Sequence, residues 1–458
     1  MTKLKLDQML ATIATVLLAS QARQPNIIQI VADDVGWDDL GCYGARDVRT
    51  PNIDRLAKEG VRFTNYYAPA PTCTPTRAAL MTGCYAQRVS QTAVLFPDAK
   101  IGLHPEETTL AESLKDAGYR TALIGKWHNG SLPKFLPPSQ GFDEYLGIPY
   151  PNDHVPERLT FKEPRVTRGF PPMPLIRGLE VIQQPAQLAT LPEMFAKEAV
   201  QFIEKNRSKP FFLHYSNIET HTPWLMTRPF QYKSKRGVYG DAIQCLDWQV
   251  GQIMDAVRRL GLENDTVVVF SSDNGPLISK DPELEGIYGH AATVDVDRKR
   301  RLRGGKYQAK YEGGTRVAGI AWSPSRIAKG KVSNALVAGI DWFPSFIGYA
   351  GATLPRRKID GKDIRTLLKE GSGPDVHDAV FLYEANRLAA VRSGKWKLVF
   401  NKEAELYDLQ KDLGETKNLA SIYPDVVKEL DAKCDPTRRA LGDQLRGIQG
   451  TEVRPAGS

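Results

Sequence analysis

Four short apolar runs restrict the architecture more than any other feature. Asn26–Ala32 (Asn-Ile-Ile-Gln-Ile-Val-Ala), 121–124, Phe211–Ser216 and 266–271 (Thr-Val-Val-Val-Phe-Ser) are brief, continuous and apolar, as buried strands are. Helix-like stretches separate them. One opens at Thr50-Pro-Asn-Ile-Asp-Arg-Leu56, and others cover 108–117, Leu191–Asn206 and 241–260. Strands alternating with helices imply a largely parallel sheet, which binds its ligands beyond the carboxyl ends of the strands. Each run is followed by polar groups: Asp33 and Asp34, Lys126 and His128, His221, and Asp273 and Asn274. One edge should therefore gather three carboxylates, an amide, a lysine and two histidines.

Adjacent carboxylates such as Asp33 and Asp34 repel unless solvent or a cation separates them. A polar strand end in water is one reading. A hard cation is the other, since calcium takes about six to eight oxygen ligands, often from carboxylates.

The stretch Pro71-Thr-Cys-Thr-Pro-Thr-Arg-Ala-Ala-Leu-Met-Thr-Gly83 is a second constraint. Thr74 suits a helix N-cap, Pro75 the first helical position and Gly83 the stop. Cys73 then lies at the mouth of a short helix with Arg77 one turn in. Free N–H groups and the positive helix end favour an anion there. A cysteine-phosphatase loop needs a longer gap between Cys and Arg.

This stretch resembles, residue by residue, the formylglycine signature of type I sulfatases. A second family signature is matched at Gly118-Tyr-Arg-Thr-Ala-Leu-Ile-Gly-Lys-Trp-His128. The resemblance runs from about Asn26 to about Asn418. It implies the alkaline-phosphatase-like α/β fold: a large, mostly parallel sheet flanked by helices, with a small C-terminal subdomain of antiparallel sheet plus helix. It also implies that Cys73 is oxidised to formylglycine by a maturation enzyme, formylglycine-generating or anaerobic, and that the aldehyde hydrates to a gem-diol.

The same resemblance gives roles. Asp33, Asp34, Asp273 and Asn274, with residue 73, bind one divalent cation, calcium by expectation. Arg77 and Lys126 hold the diol and sulfate charge. His221 and Lys306 face the leaving oxygen, and His128 takes a proton from the second hydroxyl. Leu302-Arg-Gly-Gly-Lys306 and Tyr311-Glu-Gly-Gly-Thr-Arg316 resemble a further family segment, with one extra residue between lysine and glutamate. Lys306 keeps the Gly-Gly-Lys context, and Lys310 is the fallback. The expected reaction is hydrolysis of a sulfate monoester, on a carbohydrate or other small molecule. A phosphoester or phosphonate-ester hydrolase of the same superfamily is the nearest rival. An inactive calcium-dependent glycan-binding protein is the rival from another class.

The 458 residues, 41% hydrophobic, suffice for a large core and a smaller second unit. Residues 132–191 are rich in proline and poor in periodicity, and read as a long functional loop carrying Asp153 and His154 as candidate substrate contacts. His214, inside a strand, reads as a supporting histidine. Segment 335–348, with Asp341-Trp-Phe-Pro344, resembles the family's late helix. Beyond residue 375, runs at 380–383, 389–392 and 395–400 alternate like antiparallel strands, with Ser393-Gly394 as a hairpin turn. A further strand at 404–409 and a helix over Pro424–Lys433 complete the unit. The tail past Gly450 reads as loose. These features divide the chain into 1–22, 23–375 and 376–458.

Much of the net charge of +8 is scattered, and the one dense run is Arg298-Lys-Arg-Arg301, with Arg303 and Lys306 following. A solvated loop and a fringe attracting a sulfated polymer are the two readings. No zinc-finger spacing or basic–aromatic tract points to nucleic acid. The first 22 residues read as a signal peptide, with an apolar stretch from Met9 to Ala19 too short to span a bilayer and a small-x-small site at Ser20-Gln-Ala22. A periplasmic or secreted enzyme is expected, with no transmembrane segment after processing. If Cys73 is converted, Cys42, Cys84, Cys245 and Cys434 allow up to two disulfides there.

Overall fold

In a computed structural model, residues 24–153, 170–278 and 300–458 are described. The expected signal segment, His154, Arg298 and Lys299 lie outside them. Ten strands form one sheet. In chain order they are β1 (Asn26–Ala32), β2 (Val61–Phe63), β4 (Arg120–Lys126), β5 (Glu144–Ile148), β6 (Leu175–Arg177), β7 (Glu180–Gln183), β8 (Phe211–Ser216), β9 (Thr266–Ser272), β10 (Gly319–Trp322) and β11 (Lys331–Ser333). The short β3 (Tyr66–Tyr67) pairs instead with β12 (Val337–Ala338). The order across the sheet is β11-β2-β10-β9-β1-β8-β4-β5-β6-β7. Its centre, β9-β1-β8-β4-β5, is parallel throughout. The expected mostly parallel α/β fold is what the chain adopts.

Period-two alternation explains the layering. On β1, Ile28 and Ile30 face one core, built with Ile53, Phe195, Phe202, Ile243 and Leu246 from the helices Pro51–Glu59, Leu191–Asn206 and Gly237–Arg259. Ile27 and Val31 face the other, with Leu110, Leu114, Phe343 and Phe346 from Leu110–Asp116 and Trp342–Ala350. A strand buried on both faces has no polar alternation to show. Gly125 has φ of +112°, and a Cβ there would lie 1.7 Å from the Ser216 carbonyl oxygen. Only glycine lets β4 approach β8 so closely.

A separate antiparallel sheet follows: β13 (Val380–Glu384), β14 (Arg387–Ser393), β15 (Trp396–Val399) and β16 (Glu405–Asp408). Gly394, at φ of +52°, makes the expected tight turn. The helix Pro424–Lys433 contributes Leu430 to the separate core of this sheet.

Four expectations need correction. Residues 132–191 are not one long loop, because β5, β6 and β7 lie within them. β5 pairs in parallel with β4, and Tyr145, Leu146 and Ile148 are buried. The tail is anchored. Gly102 and Gly457 exchange backbone hydrogen bonds, and Arg454 donates to Glu107. The helix at the cysteine spans Cys73–Thr82, so Thr72 is its N-cap, and the Thr74 hydroxyl accepts the Leu95 N–H instead. The described part of the basic run is largely engaged by partners, with Arg301 left exposed beside the Trp37 ring. Arg300 is buried against Asp38 and Asp39, Arg303 reaches Tyr407 and the Glu415 carbonyl, and Lys306 turns inward to Asp34. All five cysteines are unpaired thiols. Among the described residues no helix is long and apolar enough to cross a membrane.

Candidate active site

Because β9, β1, β8 and β4 are parallel neighbours, their carboxyl ends share one rim. In register, Ala32 lies opposite Ser272, Val31 opposite Ser216, and Ser216 opposite Gly125. The residues just past those positions therefore meet. Asp34, at φ of +59°, turns back so that its N–H reaches Asp273 Oδ1 at 3.2 Å. Asn274 Nδ2 donates to Asp34 Oδ1 at 2.7 Å.

Three cations enter from different elements. Lys126 Nζ lies 2.6 Å from Asp33 Oδ2. Arg77, one turn into its helix, reaches Asp273 Oδ2 at 2.8 Å and Asp33 Oδ2 at 3.4 Å, and also donates to the Lys126 carbonyl and to Ser216 Oγ. Lys306 Nζ sits 2.8 Å from Asp34 Oδ2. Lys310, the fallback, is elsewhere, with its ammonium over the Tyr311 ring. Cys73 Sγ lies 3.6 Å from Asp33 Oδ1.

All these groups are withdrawn from water, which decides their protonation. Burial works to raise the Asp33 pKa, but Lys126 and Arg77 outweigh it and hold the carboxyl well below its ordinary value. Asp273 is pushed up to about 6 by burial and by the neighbouring Asp33 charge. Lys306 overcomes its own burial through Asp34 and stays a cation. Burial pushes the Cys73 thiol up, so it is not a ready thiolate.

The histidines are neutral. Burial, Lys126 and Arg77 hold His128 well below its ordinary pKa, and burial with Lys306 and Lys126 lowers His221. His128 Nε2 lies 2.9 Å from the Leu95 carbonyl oxygen, so Nε2 carries the proton and Nδ1, which has no protein partner, keeps its lone pair. His221 Nδ1 likewise donates to the Thr222 carbonyl, which leaves Nε2 as acceptor, 3.8 Å from Asp34 Oδ2. His214 accepts the supporting role, bonded to Gln29 inside the sheet.

Asp153 is half-buried at the end of a described segment, and its Oδ1 is shielded from solvent. Sequence reasoning missed three supports. Ser216 ties Arg77 to β4, Thr220 Oγ1 accepts the Asp33 N–H, and Leu95 links Thr74 to His128. Ser216 closes a strand and Thr220 precedes His221, positions that could have flagged two of them.

The residues fit a cation. One ligand atom each from Asp33, Asp34, Cys73 and His221 lie within 4.8 Å of one another. The buried Asn274 Oδ1 accepts from no protein donor. Carboxylate and amide oxygens suit a hard divalent ion.

Comparison with known proteins bears on this arrangement. The sulfatase family model matches residues 25–352, and the model of the N-sulphoglucosamine sulphohydrolase C-terminal region matches 307–440. Human arylsulfatase A is 38% identical, covering 89% of this chain and 87% of its own length. Dog N-acetylgalactosamine-6-sulfatase is 36% identical, covering 83% and 73%. Among solved structures, a Bacteroides thetaiotaomicron protein studied in the metabolism of multiple glycosaminoglycans superposes with a TM-score of 0.79 at 29% identity, covering 91% of this chain and all of that one. The chain belongs to the sulfatase family, and is an enzyme that hydrolyses sulfate esters.

Proposed function

We propose that this sulfatase acts on a sulfated carbohydrate, using formylglycine made from Cys73 and one calcium ion. The observation that carries the reading is the convergence of Asp33, Asp34, Asp273, Asn274, Cys73, Arg77, Lys126 and Lys306 on one buried rim. Formylglycine at position 73, when hydrated, would supply an oxygen nucleophile where the thiol is neutral. A calcium ion held by Asp33, Asp34, Asp273 and Asn274 would supply Lewis acidity toward a sulfuryl oxygen.

The chain's own groups do the rest. Arg77 and Lys126 offset the charge of the sulfate and of the attacking group in a buried site, where such charges count for more than in water. Lys306 and His221 both flank Asp34 Oδ2, so either can serve the departing oxygen. Lys306 brings a fixed positive charge, and His221 Nε2 a proton site. His128 Nδ1, a neutral base at pH 7, is suited to take the proton that releases sulfate from residue 73. An ordinary hydroxyl or thiol has no second proton to lose, and would stay sulfated.

The carbohydrate reading draws on the similarity to an N-acetylgalactosamine-6-sulfatase and to a protein from glycosaminoglycan metabolism. A formylglycine-forming maturation enzyme is the implied partner. The first 22 residues, read as a signal peptide, place the mature enzyme in the periplasm or outside the cell, with 23–375 as its catalytic unit and 376–458 as its small C-terminal unit. The test is turnover of an aryl sulfate against the matching aryl phosphate, with mass analysis of the peptide carrying Cys73. Aldehyde in place of thiol and a strong preference for sulfate support the reading. Equal or better turnover of the phosphate moves it to phosphoester hydrolysis.

A further inference from the structure

Tyr307 follows the buried Lys306 and differs from every group of the site in one respect: its side chain faces solvent, 56% exposed. Its backbone has φ of +72°, a left-handed conformation that bulky residues rarely adopt. Such strain persists where surrounding structure over-determines it, and it concentrates at sites of function. Here the surrounding structure is visible. The Tyr307 N–H donates to the Pro71 carbonyl at 2.9 Å, two residues before Cys73, and the Lys306 N–H donates to Pro276 at 2.8 Å. The Gln308 N–H closes the turn onto Gly305. This turn lies in the segment between Lys306 and Glu312 where the chain carries one residue more than the resemblance predicts.

The backbone that carries the ring is therefore fixed relative to the nucleophile loop. The ring centroid lies 5.6 Å from Lys306 Nζ. Lys306 is the group assigned to the leaving oxygen, so whatever carries that oxygen must pass beside the ring. An exposed aromatic face is electron-rich and attracts the weakly positive C–H groups of a saturated ring laid over it. An aromatic side chain with only two torsions, carried on a fixed backbone, also loses little conformational entropy when it is covered.

We propose that Tyr307 is a specificity-determining residue, a stacking platform for the pyranose ring that bears the sulfate. The proposal rests on the sulfate-ester reading above and adds the leaving-group contact to it. It is specific to this chain's turn, because it needs both the left-handed backbone and the aromatic side chain at the residue after Lys306.

The test compares wild type with Tyr307→Gly, Tyr307→Asn and Tyr307→Phe. The substrates are hexoses sulfated at each hydroxyl in turn, and propyl sulfate, which has no ring. Gly and Asn accept the left-handed backbone, so both variants should fold and melt at or above the wild-type temperature. Expected is a rise of about tenfold in KM for the preferred sulfated hexose in both, with kcat within about twofold, and recovery in Tyr307→Phe. The ratio of kcat/KM for hexose sulfate over propyl sulfate should fall about tenfold in parallel. Unchanged KM in the Gly and Asn variants overturns the proposal, as does an equal rise in KM for propyl sulfate. A wild type active on propyl sulfate without preference for any sugar also overturns it. A wild type inert on every sulfate ester defeats the sulfatase chemistry itself, which separates the two failures.

Discussion

Two clusters of buried charge use similar parts to opposite ends. At the rim, Asp33, Asp34 and Asp273 face Arg77, Lys126 and Lys306. At the joint with the C-terminal sheet, Glu312 and Glu415 face Lys397 and Arg316. Lys397 Nζ lies 3.0 Å from Glu312 and 2.9 Å from Glu415, the Tyr67 hydroxyl donates to Glu312 at 2.7 Å, and the Glu312 N–H reaches Glu415 at 2.8 Å. The joint is closed: a cation bridges two carboxylates that come from different parts of the chain. The rim is crowded: Asp273 is pushed up to about 6 because burial and Asp33 act together on it. Buried charges that satisfy one another hold a structure in place. The rim carboxylates are paired as well, but they crowd one another enough to shift Asp273, and a perturbed carboxyl among converging charges marks a site of function.

That contrast can be broken most severely at the nucleophile. Cys73→Ala should lower kcat/KM on the order of 10⁴-fold or more, while the variant loses about 1 kcal/mol of stability. Steady-state kinetics and urea unfolding check the two halves, and near-normal turnover would refute the assignment. Next comes a crossed pair. Lys126→Met should cut kcat roughly a hundredfold to a thousandfold and leave the fold standing, because Arg77 still faces Asp33. Lys397→Met strands the buried Glu415 and leaves Glu312 with Arg316 alone, and should cost about 3–5 kcal/mol of stability, with the turnover of the remaining folded enzyme largely kept. If both variants lose stability and activity in proportion, the two clusters are not distinct in kind.

A strong chelator should remove activity and leave the melting of the C-terminal sheet unaltered, with calcium restoring turnover. Indifference to a chelator shown to strip the metal would remove the cation from the rim. The smallest effect is one of pH. Burial raises the Glu312 pKa, but Lys397 and Arg316 prevail and hold it at about 2, against an ordinary 4.5. A carboxylate depressed on folding adds stability above its unfolded pKa and loses it as pH falls through 4.5 toward 2. Glu415, raised by its burial, partly offsets this. Glu312→Gln should therefore flatten the acid limb of a stability–pH curve measured by denaturant unfolding, and an unchanged limb would count against the pairing.

The strands and their polar ends could be read directly from the chain. Ile27 to Ala32, apolar but for the buried Gln29, and Val267 to Phe270, apolar throughout, carry no alternation because both faces of the sheet are covered, and the residues after each strand must lie at one edge. β5 was hidden because Tyr145, Leu146 and Ile148 form too short a run to stand out among prolines, and only pairing with β4 defines it. The N-cap was misplaced by two residues, because Thr72 and Thr74 flank the cysteine alike and the Leu95 N–H draws Thr74 away. Charge composition could not reveal that Arg300 has carboxylates waiting for it 261 and 262 positions earlier in the chain. Local pattern reports which residues end a strand, but not which distant partner a long side chain finds.

The absent side chain at Gly125 has the widest reach. Because the backbones of β4 and β8 touch there, the separation of Lys126 from Arg77 and Ser216 is ruled by peptide dimensions and not by how well neighbouring groups fill space. Such a ruler tolerates many changes of chemistry mounted on it, since swapping a terminal group leaves its graduations alone. A single methyl at position 125 would rescale the whole instrument, so the most damaging substitution near the reacting atoms need not alter any residue that meets the substrate.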